Sequence, residues 1–342
     1  MKGQKRVFAV LIIVLLQLQL PAQDKGNKSF GLFENEEILN ISLHFDIDTY
    51  LKEKPEEDRL DARLTIYTGK SDSISREIKV SARGNFRRRN CVFPPVMLYL
   101  KNLETGYSDL DDLGKVKLVS HCKDEELYDT YIMREYIIYK LYNLVTDFSF
   151  RARLLNINYY DSVSDSLYAN KLGFIIEPVN TLEDRFGVDE IEDIEIRPES
   201  IEMELLMKLA VFQYMIANSD WFIDTMHNLK IFGDEDKLEN LIAVPYDFDY
   251  TGWVNTYYAY PREDLGLEDI RDRAFYGPTR TEDEYRAILD YYLELEDKII
   301  DTIKDFQYLK GHERNDLVRY VRSFYRLYRG DELLKICMDP HK

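Results

Sequence analysis

The chain predicts an α+β protein, with a sheet-rich N-terminal part followed by a mainly helical C-terminal part. Three observations carry that expectation. Period-two alternation recurs in the first third, as in Ile41, Leu43, Phe45 and Ile47 against Ser42, His44, Asp46 and Asp48. Helical spacing replaces it from 129 to 145 and again beyond 281. Between them, two acidic loops interrupt apolar sequence: NSDWFIDTMHN (Asn218 to Asn228) and VPYDFDYTG (Val244 to Gly252).

The elements follow in order. Lys2, Lys5 and Arg6, the apolar run Val7 to Leu16, and Leu20-Pro21-Ala22 read as a secretory signal over residues 1–22. The apolar run is too short to span a bilayer, and no Cys follows it to take a lipid anchor. A flexible segment, 23–34, is expected to lead into a β-rich lobe over 35–178. Its strands are 41–48, a hairpin of 64–68 and 78–82 around Gly69 to Ser75, 96–100 after Pro94-Pro95, and 115–120. The helix 129–145 carries Ile132, Tyr136 and Leu141 at helical spacing, and strands return at 152–160 and 172–176.

The second lobe, 179–342, opens with an acidic stretch (182–204) that reads as a loop with a short helix. Residues 201–217 are apolar nearly all round and predict a buried helix, with Ser200 as N-cap and Glu202 and Glu204 in the first turn. Strands 229–232 and 241–244 flank a short acidic excursion and read as a hairpin. A Tyr-, Pro- and Gly-rich loop then runs to Pro278, and amphipathic helices at 281–305 and 313–329 follow.

Charge and cysteines bound the function. The chain has 45 Lys+Arg against 63 Asp+Glu, a net −18, and residues 1–22 hold three of the cations and none of the acids. So acidic a surface argues against general binding to nucleic acid or anionic lipid. With the signal removed, the protein is expected to be secreted or periplasmic and to make no stable membrane insertion. Three cysteines in an oxidising compartment imply one disulfide, expected between Cys91 and Cys122, with Cys337 free. No CxxC and no Cys/His zinc spacing occurs.

The hairpin is expected to bring Asp220, Asn228, Asp247 and Asp249 to one end of the sheet. Oxygen ligands of this kind suit Mg2+ or Mn2+ holding a phosphate. Phosphoryl transfer also needs a Lys against phosphate charge, a helical Glu to hold it, and a carboxylate to orient the attacking hydroxyl. Lys117 on a strand, Glu135 on the next helix, then Asp220, Asn228 and Asp247 occur in that order.

On these residues the chain resembles the CotH-like branch of the atypical protein-kinase-like families. The blocks are ARGNFRRRNCVFPP (Ala82 to Pro95), KLVSHC (Lys117 to Cys122), REYIIYKLYN (Arg134 to Asn143), MIANSDWFIDTMHN and VPYDFDYTG, within roughly residues 35–280. The resemblance implies a protein-kinase-like two-lobed fold that uses ATP with a divalent metal on a protein acceptor. It implies Asp220 as the catalytic carboxylate and Asn228 and Asp247 as metal ligands, with Asp249 in reserve. It also implies a phosphate-facing Lys117–Glu135 ion pair, and a hinge from Phe174 to Glu177 beside the adenine. The chain departs from kinases in three ways. Asp220 is preceded by Asn218-Ser219 rather than His-Arg, Asp220 and Asn228 stand eight positions apart, and no GxGxxG covers the phosphates. Arg83-Gly84-Asn85, with Arg87, Arg88 and Arg89 behind it, is the candidate substitute; an exposed strand end is the other reading. A non-catalytic secreted binding module, with Ca2+ in the acidic loops, is the competing functional class.

Overall fold

The computed structural model describes residues 28–192 and 194–339, so the signal read into residues 1–22 lies outside the described residues. Seven strands form the N-terminal part: β1 (Leu39–Phe45), β2 (Leu60–Tyr67), β3 (Ser73–Ala82), β4 (Val96–Leu100), β5 (Gly114–Val119), β6 (Ala152–Asp161) and β7 (Ser166–Ile176). They close into a barrel in the order β1-β2-β3-β4-β5-β7-β6. Closure depends on one parallel pairing, β1 with β6, which sets Ile41 beside Ile157 while Ile66 flanks it from β2.

The expected alternation holds but its limits shift. Strand β1 stops at Phe45 because the Asp46 side chain accepts from the Thr49 N–H at 2.9 Å and caps a short helix, α1 (Ile47–Glu53). Inward-facing Leu43, Phe45, Val80, Leu98, Val116 and Leu118 fill the barrel. Outward-facing Val119, Leu154, Phe174 and Ile176 instead join a second core, shared with the helical part. Strands β5, β6 and β7 are therefore buried on both faces near that junction. Gly173 belongs to this crowding: a Cβ there would come within 2.7 Å of the Val119 carbonyl oxygen. Within the segment expected to be flexible, residues 28–34 lie against the barrel. Asp109, on the short helix α3 (Ser108–Asp111) that follows the five-residue α2 (Phe86–Asn90), accepts from the N–H groups of Phe30, Gly31 and Leu32.

Helix α4 (Glu126–Val145) crosses β6 and β7 and is buried over most of its circumference. After it come α5 (Val179–Phe186), β8 (Asp189–Ile191), α6 (Met203–Met215), β9 (Leu229–Gly233) and β10 (Ile242–Pro245). The acidic stretch read as a loop with a short helix contains the end of α5 and also supplies β8, which pairs with β9 beside the expected β9–β10 hairpin. Helix α6 begins later than predicted. Glu202, rather than Ser200, caps it, because its carboxylate reaches the N–H groups of Glu204 and Leu205.

The C-terminal helices are α7 (Glu282–Glu294), α8 (Glu296–Asp305), α9 (Gly311–Arg329) and α10 (Glu332–Met338). The single helix expected over 281–305 breaks at Leu295, and Thr281 with Glu284 forms a capping box at its start. Among the described residues no helix is long and apolar enough to cross a membrane. The expected disulfide, Cys91–Cys122, is present, and Cys337 is a buried free thiol that burial pushes up to about 12.

Candidate active site

A cleft of about 680 Å3 separates the barrel from the helical part, within the roughly 300–1,000 Å3 usual for small-molecule sites. A hollow of about 720 Å3 near α10 is slightly larger but is lined mainly by apolar groups such as Leu267, Phe275 and Ile336. The cleft between the two parts is where the ionisable groups converge.

Its barrel wall follows from strand alternation. Val116 and Leu118 point into the barrel, so Lys117 points out, in a cross-strand row with Met97 of β4 and Ile176 of β7. All three line the cleft. Lys117 Nζ sits 4.3 Å from the centre of the Tyr246 ring. Burial, then the neighbouring Arg83 charge, lowers its ammonium to about 8, with Asp247 opposing. Arg83, Gly84 and Arg87 come from the β3–β4 connection, where Gly84 takes the left-handed φ of +83° that favours glycine.

The opposite wall is built by stitching two loops together. At the end of α6 the Gly252 N–H donates to the Ala217 carbonyl and the Trp253 N–H to that of Ile216, both at 3.0 Å. The pairing of Leu229 with Pro245, and the Tyr246 N–H on the Asn228 carbonyl (3.1 Å), joins the starts and ends of β9 and β10. Gly252 is required here, since a Cβ would run into the Ile270 carbonyl oxygen. These ties bring Asp220, Asn228, Asp247 and Asp249 to one wall, as the hairpin reading expected.

The eight-residue separation of Asp220 and Asn228 does not keep them apart. Asn228 Nδ2 donates to Asp220 Oδ2 at 3.0 Å and to the Asp220 carbonyl at 2.7 Å. A left-handed φ of +54° at Asn228 makes that return possible. His227 Nε2 lies 3.0 Å from Asp220 Oδ1. Asp247, also left-handed at φ +61°, is exposed; its N–H donates to the Tyr139 hydroxyl at 3.2 Å, and its carboxylate makes no hydrogen bond among the described residues. Phe248 is buried between, edge-on to Tyr139, so Asp247 and Asp249 both reach the cleft. Asp249 accepts from the Tyr258 hydroxyl at 2.7 Å. Burial, then the Asp247 charge, raises it to about 6.

Two expectations are corrected by partner choice. Glu135 is not paired with Lys117: its ion pair, at 3.8 Å, is with Arg87. The Arg87 guanidinium also donates to the Ser120 carbonyl at 2.8 Å. Lys117 turns instead to the Tyr246 ring, and no ion pair joins it to Glu135 among the described residues. Burial first, then the charge of Asp249, raises the Glu135 carboxyl well above its ordinary value, with Arg87 opposing. Glu177 does not line the cleft. Its buried carboxylate accepts from the Arg151 N–H (3.0 Å) and from Arg185 Nε and Nη2 (3.1 and 2.8 Å), so it joins β7 to α5. Ile176 takes the cleft position instead.

The donor chemistry of this wall is of the kind a divalent cation takes. Asp247 offers an unengaged carboxylate, Asp249 is crowded by it, and the Asn228 amide oxygen is the third donor, all of them hard oxygens. Among the described residues no three His, Cys, Asp or Glu side chains meet at one point. A cation held by two carboxylates and an amide would complete its shell from phosphate and water, the habit of Mg2+.

Tyr258 lines the cleft without a signal in the sequence, whereas His227 reads there as a residue that caps, packs or contacts phosphate. His227 was legible as the neighbour of Asn228; nothing in the aromatic-rich loop 250–260 distinguishes Tyr258. No known family matches the chain, and no curated protein matches it either.

Proposed function

We propose that the cleft binds ATP with Mg2+ or Mn2+ and transfers a phosphoryl group to a hydroxyl of a protein acceptor outside the cytoplasm, in a kinase-like arrangement. The observation that carries this reading is the opposition across one cleft of Lys117, Arg83 and Arg87 to Asp220, Asn228, Asp247 and Asp249. Cations on one wall match the charge of a triphosphate, and oxygen ligands on the other match its metal. A two-lobed kinase-like architecture is consistent with a barrel and a helical part meeting at that cleft. The disulfide and the N-terminal signal reading support an exported protein.

In this reading a bound cation, held by Asp247, Asp249 and Asn228, would neutralise the phosphate oxygens. Lys117 faces the same charge from the barrel wall. The half-exposed Asp220 orients the acceptor hydroxyl and takes its proton as the hydroxyl oxygen bonds to the γ-phosphorus. The bond to the bridging oxygen breaks and ADP leaves. Asn228 and His227 hold the two Asp220 oxygens, so the carboxylate is aimed before substrate arrives. The test is radiolabelled transfer from ATP to protein acceptors by the protein and by Asp220→Ala and Asp247→Ala. The proposal requires Asp220→Ala to bind ATP with Mn2+ and fail to transfer, and Asp247→Ala to lose both. Transfer retained by Asp220→Ala contradicts it.

A further inference from the structure

We infer that the Cys91–Cys122 disulfide belongs to the assembly of the cleft: it locks Arg87 as the positioning partner of Glu135, so opening the bond disconnects the nucleotide site while every residue of the cleft remains in the chain. The nucleotide readout of this claim rests on the function proposed above.

Helix α2 has few contacts of its own, an Arg88–Glu56 ion pair at 2.6 Å and the Phe86 ring against Tyr258. None of its residues is buried, and no side chain caps its start. Three of its five residues are consecutive arginines, which point to different sides of the helix. Its C-terminal end adds a covalent anchor. The Cys91 N–H donates to the Arg87 carbonyl at 2.8 Å, and Cys91 is bonded to Cys122. Two residues before Cys122, the Ser120 carbonyl accepts from Arg87 Nη2 at 2.8 Å. Arg87, Cys91, Cys122 and Ser120 therefore form a closed ring in which the disulfide is the one covalent cross-link.

That ring fixes where the guanidinium points. Its other face lies 3.8 Å from Glu135, which is 2% exposed and is crowded by Asp249 and Asp247. A buried carboxylate without its cation is costly, so the cleft depends on Arg87 staying in place. The outer face of the same helix meets the opposite wall, where the Phe86 ring sits 5.0 Å from that of Tyr258, the donor to Asp249. Lys54, whose Nζ donates to the Cys91 carbonyl at 2.7 Å, restrains the cysteine backbone but does not touch Arg87. Among the described residues the disulfide is thus the one covalent cross-link, beyond the main chain itself, between the arginine loop and the strand end behind Lys117, beside a hydrogen bond from the Phe93 N–H to the Cys122 carbonyl at 3.1 Å.

Opening the bond needs a dithiol. Its thiolate attacks one sulfur, the Cys91–Cys122 bond breaks, two protein thiols form, and the reagent leaves as its cyclic disulfide. The experiment measures ATP binding with Mn2+ by calorimetry for four oxidised proteins: the parent, Arg87→Ala, Glu135→Gln, and the double variant. Each is then measured after reduction with dithiothreitol, and folding is checked by circular dichroism. We expect Arg87→Ala to weaken binding at least tenfold and Glu135→Gln to restore most of that loss in the double variant, because the unpaired charge is gone. Reduction should weaken the parent by a similar factor and add nothing to Arg87→Ala. A Cys91→Ser, Cys122→Ser variant should match the reduced parent, which covers incomplete reduction of two buried cysteines.

A folded reduced parent with unchanged affinity overturns the inference, as does a loss on reduction that multiplies with that of Arg87→Ala. If the oxidised parent binds no ATP, the functional reading falls by itself. The four proteins are then compared by denaturation midpoint. Coupling between Arg87→Ala and Glu135→Gln that disappears on reduction supports the lock, and coupling that survives reduction overturns it.

Discussion

The two walls of the cleft reach their geometry by different means. The barrel wall is cationic and rigidly founded: Lys117 is placed by strand register, and Arg87 by a disulfide and a carbonyl. The helical wall is anionic and made of turns, with Asn228 and Asp247 both in left-handed backbone that is uncommon for residues other than glycine. Such conformations persist where the surroundings over-determine them, and here the Tyr246, Gly252 and Trp253 N–H groups do so. The contrast teaches that charge placement on the first wall depends on the fold at large, and on the second on a few local hydrogen bonds. Substitutions should therefore separate stability from chemistry according to the wall they fall on.

The largest expected separation is on the helical wall. Asp220→Ala should lower transfer by about 10²–10⁴-fold, the usual worth of a positioned base, with nucleotide affinity kept; single-turnover transfer beside calorimetry checks both. On the other side of β7, Glu177→Ala should do the reverse. It leaves Arg185 half-satisfied in a buried ion pair, which costs about 3–5 kcal/mol of stability in urea unfolding, and nucleotide affinity should not change. A loss of affinity at constant stability would restore Glu177 to the nucleotide site.

Next in size, removing the disulfide by Cys91→Ser should cost about 3–4 kcal/mol of stability, because it opens a loop with a sequence separation of 31. The smallest effect is the pH dependence of Lys117. Its ammonium, lowered to about 8, loses its proton as pH rises through that value, so affinity for ATP should fall about tenfold between roughly pH 7 and 9. Lys117→Arg should flatten the profile. Since the folded state holds the charged lysine less well than the unfolded chain does, the protein itself gains stability from about pH 8 up to the ordinary lysine value. A rise in affinity across this range would contradict the role of Lys117.

The anionic wall was the more legible of the two in sequence. Its four residues flank a hairpin, and hairpin register is a local property that apolar runs and turn residues reveal. Lys117 was legible as an outward residue of an alternating strand. Barrel closure was not, because it rests on the β1–β6 pairing, which joins Leu39 to Leu155 across more than a hundred residues. Nor was the partner of Glu135, since Arg87 and Lys117 offer the same charge and only the path of the β3–β4 connection decides between them. Glu177 was misassigned for a related reason. Its partner Arg185 lies on α5, at the edge of a stretch whose acidity concealed β8.

The central claim is that the two walls jointly hold a metal–nucleotide. Calorimetric titration of ATP with Mn2+ into the oxidised protein, beside its Asp247→Ala variant, tests it most directly. The account predicts saturable binding to the parent and none to the folded variant. Absence of binding to the parent, or equal binding to both, would contradict it.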